Sequence, residues 1–472
     1  MTGFAAQGQG VGGAAQLVAE LAEGRVTARE LTERSLRRIE ETQGTLNAFR
    51  RMRAEAALRE AAEADRRLAA GERAALLGVP VAVKDDMDVA GEPTGFGCPG
   101  EFPPKRADSE VVRRLRAAGA VIVGKTNTPE AGQWPVTEGA AFGITRNPWN
   151  PAHSPGGSSG GAATAVAAGL VPLALGSDGA GSVRIPAAWT HLVGIKPQRG
   201  RISCRPEAET FRGLVCYGPL ARTVADAALL LEAVSGAHPG DRHRPPAIRP
   251  VDAARQEPRR LRIALSFRPA FAAVRHWLDP EVRAATVRTA ERLAALGHEV
   301  IEEDPRYGQV GLAFLPRSMA GIRVWSRRVP DRAALDPRTR RNALAGLVLG
   351  GGALAASRAA EGPLRQRVGE LFGRFDVVLT PTTAVPPLRT GALDGLSGRA
   401  TNSLTTASCP YAWPWNVLGW PAMSVPAGFV DGLPVGAQLL GPANSEPLLI
   451  SLAAQLEADQ RWFERWPANV PE

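Results

Sequence analysis

The chain has 472 residues, 44% hydrophobic and 22% charged, which is enough apolar sequence to bury a large core and excludes an intrinsically disordered chain. Its formal charge of +9 is spread along the sequence and interleaved with acids, a solubility feature and not the stripe expected of a nucleic-acid binder. Only four of the 56 basic residues are lysines, Lys84, Lys105, Lys125 and Lys196, so arginine serves wherever a permanent charge suffices.

Arginine stays protonated near neutral pH, whereas a buried lysine can lose its proton and act as a base. Each surviving lysine is therefore a candidate for chemistry that arginine cannot do, Lys84 above all. Cys98, Cys204, Cys216 and Cys409 show neither CxxC spacing nor a disulfide framework, and with few histidines there is no zinc pattern. That usage points to a cytoplasmic chain with no metal. The first residues lack a basic segment followed by an apolar core, so no signal peptide is expected. The longest apolar stretch, 343–357, is too short and too broken by glycine to span a bilayer, so no membrane partner is expected either.

In chain order, Thr27 and Glu30 form a capping box, and Leu31, Ser35 and Ile39 continue one helical face to about Gln43. A second helix is expected over 51–70, stopped by Gly71. The apolar run 79–83 reads as a strand that delivers Lys84 at its carboxyl end, where α/β sheets hold ligands. Position alone would equally allow a surface lysine at a strand end; the apolar approach argues against that. Ser109 caps a helix to about Ala118, and 120–123 is a buried strand, the alternation of a parallel α/β architecture. The segment Gly119–Thr126 spells the phosphate-loop pattern GxxxxGK[ST], but its four variable residues are themselves the strand, and Asn127-Thr128-Pro129 follows in place of a helix. A P-loop nucleotide-binding protein is the reading of another class, and this context speaks against it.

The segment 130–154, rich in Gly, Pro, Asn and Trp, reads as a cleft-lining loop. It leads into two glycine-serine turns, at 156–161 and 176–182, separated by a small-residue helix over 162–169 and a short strand over 173–175. Gly156-Gly157-Ser158-Ser159-Gly160 also fits the GxSxG elbow, yet the three prolines just upstream oppose the strand that an elbow requires. Two turns of bare N–H groups flanking serines suit acyl transfer, where a hydroxyl attacks and backbone donors hold the oxyanion. Further elements are a helix over 224–234 capped by Thr223, a strand over 261–265, a helix from Asp279 to about Leu296, a strand over 299–302, a helical, arginine-rich region 306–367, and strands over 376–380 and 422–426. Trp413, Trp415 and Trp420 read as core more than as ligand contacts.

The blocks VAVKD, VGKTNTPE, SPGGSSGGAATAVAAG, GSDGAGSVRIPA, VGIKPQRGR and MSVPAGFVDGLPVGAQLLG, in this order from about residue 80 to residue 441, closely resemble the amidase signature family of serine hydrolases. The resemblance implies an α/β fold, a central mixed, twisted β-sheet covered by helices on both faces, in one domain over residues 1–472. Within it, 1–75 would be helical, 78–236 would carry the catalytic motifs, 306–367 would shape the substrate site, and 375–472 would form a C-terminal sheet and helix part. The family's Ser-cisSer-Lys triad falls on Ser182 as nucleophile, Ser158 as bridging serine after a cis peptide, and Lys84 as base. The N–H groups of Gly179, Ala180, Gly181 and Ser182 would form the oxyanion hole, Gly132 and Ser158 would face the substrate, and Ser159, Asp178 and Arg184 would support the loop. No metal or cofactor is implied; the partner is a small-molecule amide, and the chain would be a monomer or homodimer. Many members read GSDTGGS where this chain has Gly179 and Ala180, and a similar alanine loop occurs in the nylon-oligomer cyclic-dimer hydrolase branch. The nearest different function, the glutamine-hydrolysing component of a tRNA-dependent amidotransferase, typically reads SIRQPA, where this chain has Ile185 at the glutamine's place.

Overall fold

The computed structural model describes residues 13–270, 274 and 276–468. The expectation of no signal peptide rests on residues 1–24, the first twelve of which lie outside the described ones. Thirteen strands follow in chain order among the described residues: β1 Phe49–Met52, β2 Pro80–Lys84, β3 Val121–Thr126, β4 Glu138–Gly139, β5 Gly143–Ile144, β6 Leu173–Asp178, β7 Val193–Lys196, β8 Cys216–Ala221, β9 Arg262–Leu265, β10 Glu299–Glu302, β11 Val377–Pro381, β12 Ala422–Val430 and β13 Leu433–Leu440. Eleven of them join one sheet in the order β1-β3-β2-β6-β8-β7-β12-β13-β11-β9-β10, and β4 and β5 make a separate hairpin. The sheet is mixed. β2 lies parallel to β3 and β6, and β9 parallel to β10 and β11, while the remaining pairs are antiparallel. Helices flank this sheet, giving the single α/β domain expected from the motifs.

Every residue of β2, β3, β6 and β7 is buried, which is why these strands read as continuous apolar runs and not as alternations. The Thr27–Glu30 capping box forms as expected, opening the helix Ala28–Leu46, and Thr223 caps Val224–Val234. Several elements differ from expectation: Ser109 precedes the helix Glu110–Ala117 without a side-chain cap bond, and the strand expected over 173–175 runs on to Asp178, into the second serine turn. The helix expected from residue 51 starts at Ala54, because Arg51 and Met52 pair with Lys125 and Gly124 at the open edge of β3. The last buried strand runs on to Val430 and returns as β13 through Asp431 and Gly432, both at positive φ, a tight-turn signal that Asp-Gly already carried.

The phosphate-loop lookalike is a turn at Gly119 followed by strand from Val121 to Thr126, with no loop over its GKT residues. Gly124, Lys125 and Thr126 are the last residues of β3, and Lys125 is fully buried. Among the described residues no single helix is long and apolar enough to cross a membrane; the helix Pro337–Val348 and the following segment qualify only as a pair bent by 80°.

Candidate active site

Lys84, the last residue of β2, is fully buried. Its Nζ lies 2.7 Å from Ser158 Oγ and 2.8 Å from Ser177 Oγ, and 3.5 Å from the Ser177 carbonyl. Burial pushes its pKa below the ordinary lysine value, against the opposing charges of Asp86 and Asp178. Asp86 Oδ2 forms an ion pair with the amine at 3.6 Å, beside Ser177, whose hydroxyl donates to it.

The peptide Gly157–Ser158 is cis. A Cβ on Gly157 would lie 2.5 Å from the Trp134 carbonyl, so only glycine lets the 134–136 segment pack against the serine turn. Ser159 joins the two turns. Its Oγ accepts from the Ser177 N–H at 3.2 Å, its hydroxyl lies 3.1 Å from the Ser177 carbonyl, and its N–H donates to the Ser182 carbonyl at 3.1 Å. Gly132, held at positive φ, abuts Ser158; a Cβ there would be 3.5 Å from Ser158 Oγ and 3.2 Å from Trp325.

The second turn is built around Asp178. Burial alone would raise this carboxyl, but the Arg184 charge and its hydrogen bonds at 2.9 and 3.0 Å, helped by Lys196 and Asn416, hold it well below the carboxylate range. Asp178 Oδ1 also accepts from the Gly181 N–H at 2.7 Å. That bond engages, inside the loop, the Gly181 N–H, one of the four donors expected for the oxyanion hole. Gly181 is buried, whereas Gly179, Ala180 and Ser182 are half-buried and open onto the cavity. Glycine at 179 has a local reason: a Cβ there would lie 2.8 Å from Val215 Cγ2.

Ser158, Ser177 and Ser182 all line one cavity of about 410 Å³. Its walls come from the 130–154 segment through Gly132 and Trp134, from the 306–367 region through Phe314 and Trp325 on the helix Val310–Ser326, and from Thr405 and Trp413 near the C-terminal strands. Trp413 thus faces the cavity, while Trp415 is fully buried core. Sequence reasoning did not single out Asp86, Ser177, Phe211 or Asn416. The pair Asp85-Asp86 beside Lys84 was a signal; Asn416 had none, since its contacts with Asp178 and Leu214 join residues some two hundred positions apart. Among the described residues, no cluster of three or more His, Cys, Asp or Glu side chains could hold a metal, and the four cysteines are unpaired.

A mixed sheet that brings a buried lysine and two glycine-flanked serines to one cavity defines a hydrolase of the serine type. A family model described as Amidase matches residues 30–450, and the chain belongs to the amidase signature family. It is 56% identical over 453 residues to the putative amidase AmiA2 of Mycobacterium tuberculosis, covering 96% of this chain and 94% of that protein. The glutamyl-tRNA(Gln) amidotransferase of Synechococcus is more distant: the protein of its A component is 37% identical over 490 residues, covering 96% of this chain and 97% of that protein. The solved structure of 6-aminohexanoate cyclic dimer hydrolase with its substrate superposes with a TM-score of 0.88 at 32% identity, covering 97% of this chain and 99% of that one.

Proposed function

We propose that this amidase hydrolyses the C–N bond of a small-molecule carboxamide through an acyl-enzyme on Ser182. The observation that carries the reading is the 2.7 Å contact between Lys84 Nζ and Ser158 Oγ at a cavity that Ser182 also lines. An uncharged Lys84 amine takes the Ser158 proton as Ser158 takes that of Ser182, and Ser182 Oγ attacks the carbonyl carbon. The N–H groups of Gly179, Ala180 and Ser182 receive the oxyanion, each essential donor contributing roughly 3–4 kcal/mol. The proton returns by the same relay to the departing nitrogen, and water then cleaves the ester by the reverse route. Ser159, Asp178 and Arg184 hold the loop, and Gly132 borders the bound acyl group.

In this reading residues 306–367 shape the substrate site within one domain over 1–472, and the enzyme works in the cytoplasm on a small molecule, as a monomer or homodimer. Treatment with a fluorophosphonate probe followed by peptide mapping is expected to label Ser182. Labelling of Ser158 or of no serine, together with full amide hydrolysis by Ser182→Ala, overturns the mechanism. The amidotransferase reading expects glutamine turnover only with partner chains, and hydrolysis of simple amides by the lone chain removes it.

A further inference from the structure

We propose that the acyl group accepted by this enzyme is uncharged and apolar, with the bulk of an arylalkyl or medium-length alkyl chain; this rests on the amide-hydrolysing reading above. Among the described residues, no Asp, Glu, Lys, Arg or His side chain lines the cavity. Of the charged groups behind its walls, Asp178 is held by Arg184, Glu130 accepts from the Asp336 N–H, and Asp86 accepts from the Ser177 hydroxyl that lies between it and the cavity. The polar wall is neutral as well, and Asn342 donates to Gln133 Oε1 at 2.7 Å. Facing it are Phe211 and Trp325, edge to face at 4.8 Å, with Trp134, Leu214, Ile322 and Trp413. The rim is uncharged too: Leu312 and Leu315 are 66% and 48% exposed at the mouth, beside the exposed amides Gln309 and Asn402. A charge on the acyl carbon next to the carbonyl would be stripped of water there with no counter-ion, whereas added methylenes would find apolar contacts.

The test compares 3-phenylpropanamide with phenylalaninamide, which differ by one α-ammonium, and with N-acetylphenylalaninamide, where that charge is removed. The ammonium activates its carbonyl chemically, so discrimination against it must come from the cavity. The expected result is kcat/KM at least about a hundredfold lower for phenylalaninamide than for 3-phenylpropanamide, with recovery on acetylation. Free glutamine should not be turned over, and the series from acetamide to hexanamide should gain about fourfold per methylene. Phenylalaninamide hydrolysed within tenfold of its neutral analogue, or acetamide preferred to hexanamide, overturns the proposal. Labelling of Ser182 by the fluorophosphonate is independent of these ratios, so failure here is distinct from failure of the amidase reading.

Independently of the cavity, the geometry points to Asp86 as a positioning residue that acts on Lys84 through Ser177. Ser177 has one hydroxyl proton, and a carboxylate can only accept, so Ser177 donates to Asp86 and accepts from Nζ. An uncharged amine has two N–H bonds and one lone pair. With the N–H bonds directed at Ser177 Oγ and the Ser177 carbonyl, the lone pair is left for the Ser158 hydroxyl. Once the proton is taken up, the ammonium stands 3.6 Å from Asp86 Oδ2, and Asp86 Oδ1 is buried with no hydrogen-bond partner among the described residues. The other titratable groups around this chain are Asp178 on β6, Tyr217 on β8, Cys204, and the Asp85–Lys125 pair; burial keeps Tyr217 and Cys204 protonated.

Asp86→Asn removes the charge that favours the ammonium, so the acid limb of kcat/KM against pH is expected to move to lower pH. The kcat plateau should fall at least tenfold with KM little changed. Ser177→Ala should lower kcat comparably by breaking the bridge. An unmoved acid limb with kcat within twofold of wild type in Asp86→Asn overturns the role. If that variant does not fold, kcat within twofold in Ser177→Ala does the same.

Discussion

Lys84 and Lys125 end neighbouring strands, both fully buried, and the sequence presents them in similar guise. Their partners separate them. Lys125 Nζ meets Asp85 Oδ1 at 2.8 Å, the Pro93 carbonyl at 2.7 Å and Thr94 Oγ1 at 2.8 Å, three acceptors for the three protons of an ammonium. Lys84 meets two hydroxyls, which can donate as well as accept, and its carboxylate, Asp86, stands at 3.6 Å, outside hydrogen-bond distance. A buried lysine in direct contact with a carboxylate fixes structure; one surrounded by hydroxyls can exist as a free amine. The difference lies in the partner set and not in burial.

The largest effects test the catalytic side. Ser182→Ala is expected to lower kcat/KM by about 10⁴-fold or more, measured on a neutral amide. Lys84→Met should cost at least about 10³-fold while the melting temperature holds, and Lys84→Arg should not restore the rate, because guanidinium stays charged. Since Lys84 acts deprotonated and burial lowers its pKa, kcat/KM should fall as pH drops through a value below the ordinary lysine range. A limb at the ordinary lysine value would overturn the free-amine reading of Lys84. On the structural side, Lys125→Met leaves Asp85 as an unpaired buried carboxylate and should destabilise the fold by about 3–5 kcal/mol, read as a lowered denaturation midpoint. Full stability in that variant would break the comparison from the other end.

His191 extends the contrast to a group buried with no counter-ion. Burial, with Arg222 and Arg465 nearby, pushes its pKa down to about 3, so the fold holds it neutral. The unfolded chain then binds more protons between about pH 3 and pH 6.5, and stability is full above that window and lost as pH falls through it. About 2 kcal/mol should be lost between pH 7 and pH 5 in urea titrations, and His191→Gln should flatten that slope. The smallest effect concerns the oxyanion loop. Gly179→Thr should lower kcat/KM by about tenfold through its clash with Val215, and Val215→Ala should recover most of it.

Much of this was legible in the sequence. Lys84, Ser158 and Ser182 stood out because their demands are local: an apolar approach for the lysine, and glycines that let backbone pass close to each serine. The caps at Thr27 and Thr223 were equally local. The edge strand β1 was not, because Arg51 and Met52 become a strand only by meeting β3. Nor was the loss of the Gly181 N–H to Asp178, since sequence does not show which donors a turn consumes internally.

The sequence by itself determined the strands that carry the site, the serine turns and the scarcity of lysine that marked Lys84, because strand, turn and cap preferences are settled within a few residues. Only the tertiary structure decided which lysine meets hydroxyls and which directly hydrogen-bonds a carboxylate, that Asp86 stands beside Ser177 and Lys84, and that three distant segments close a cavity lined by no charged side chain. Those are questions of which side chains end up within 3 or 4 Å of one another across long stretches of chain, and chain separation carries no record of that distance.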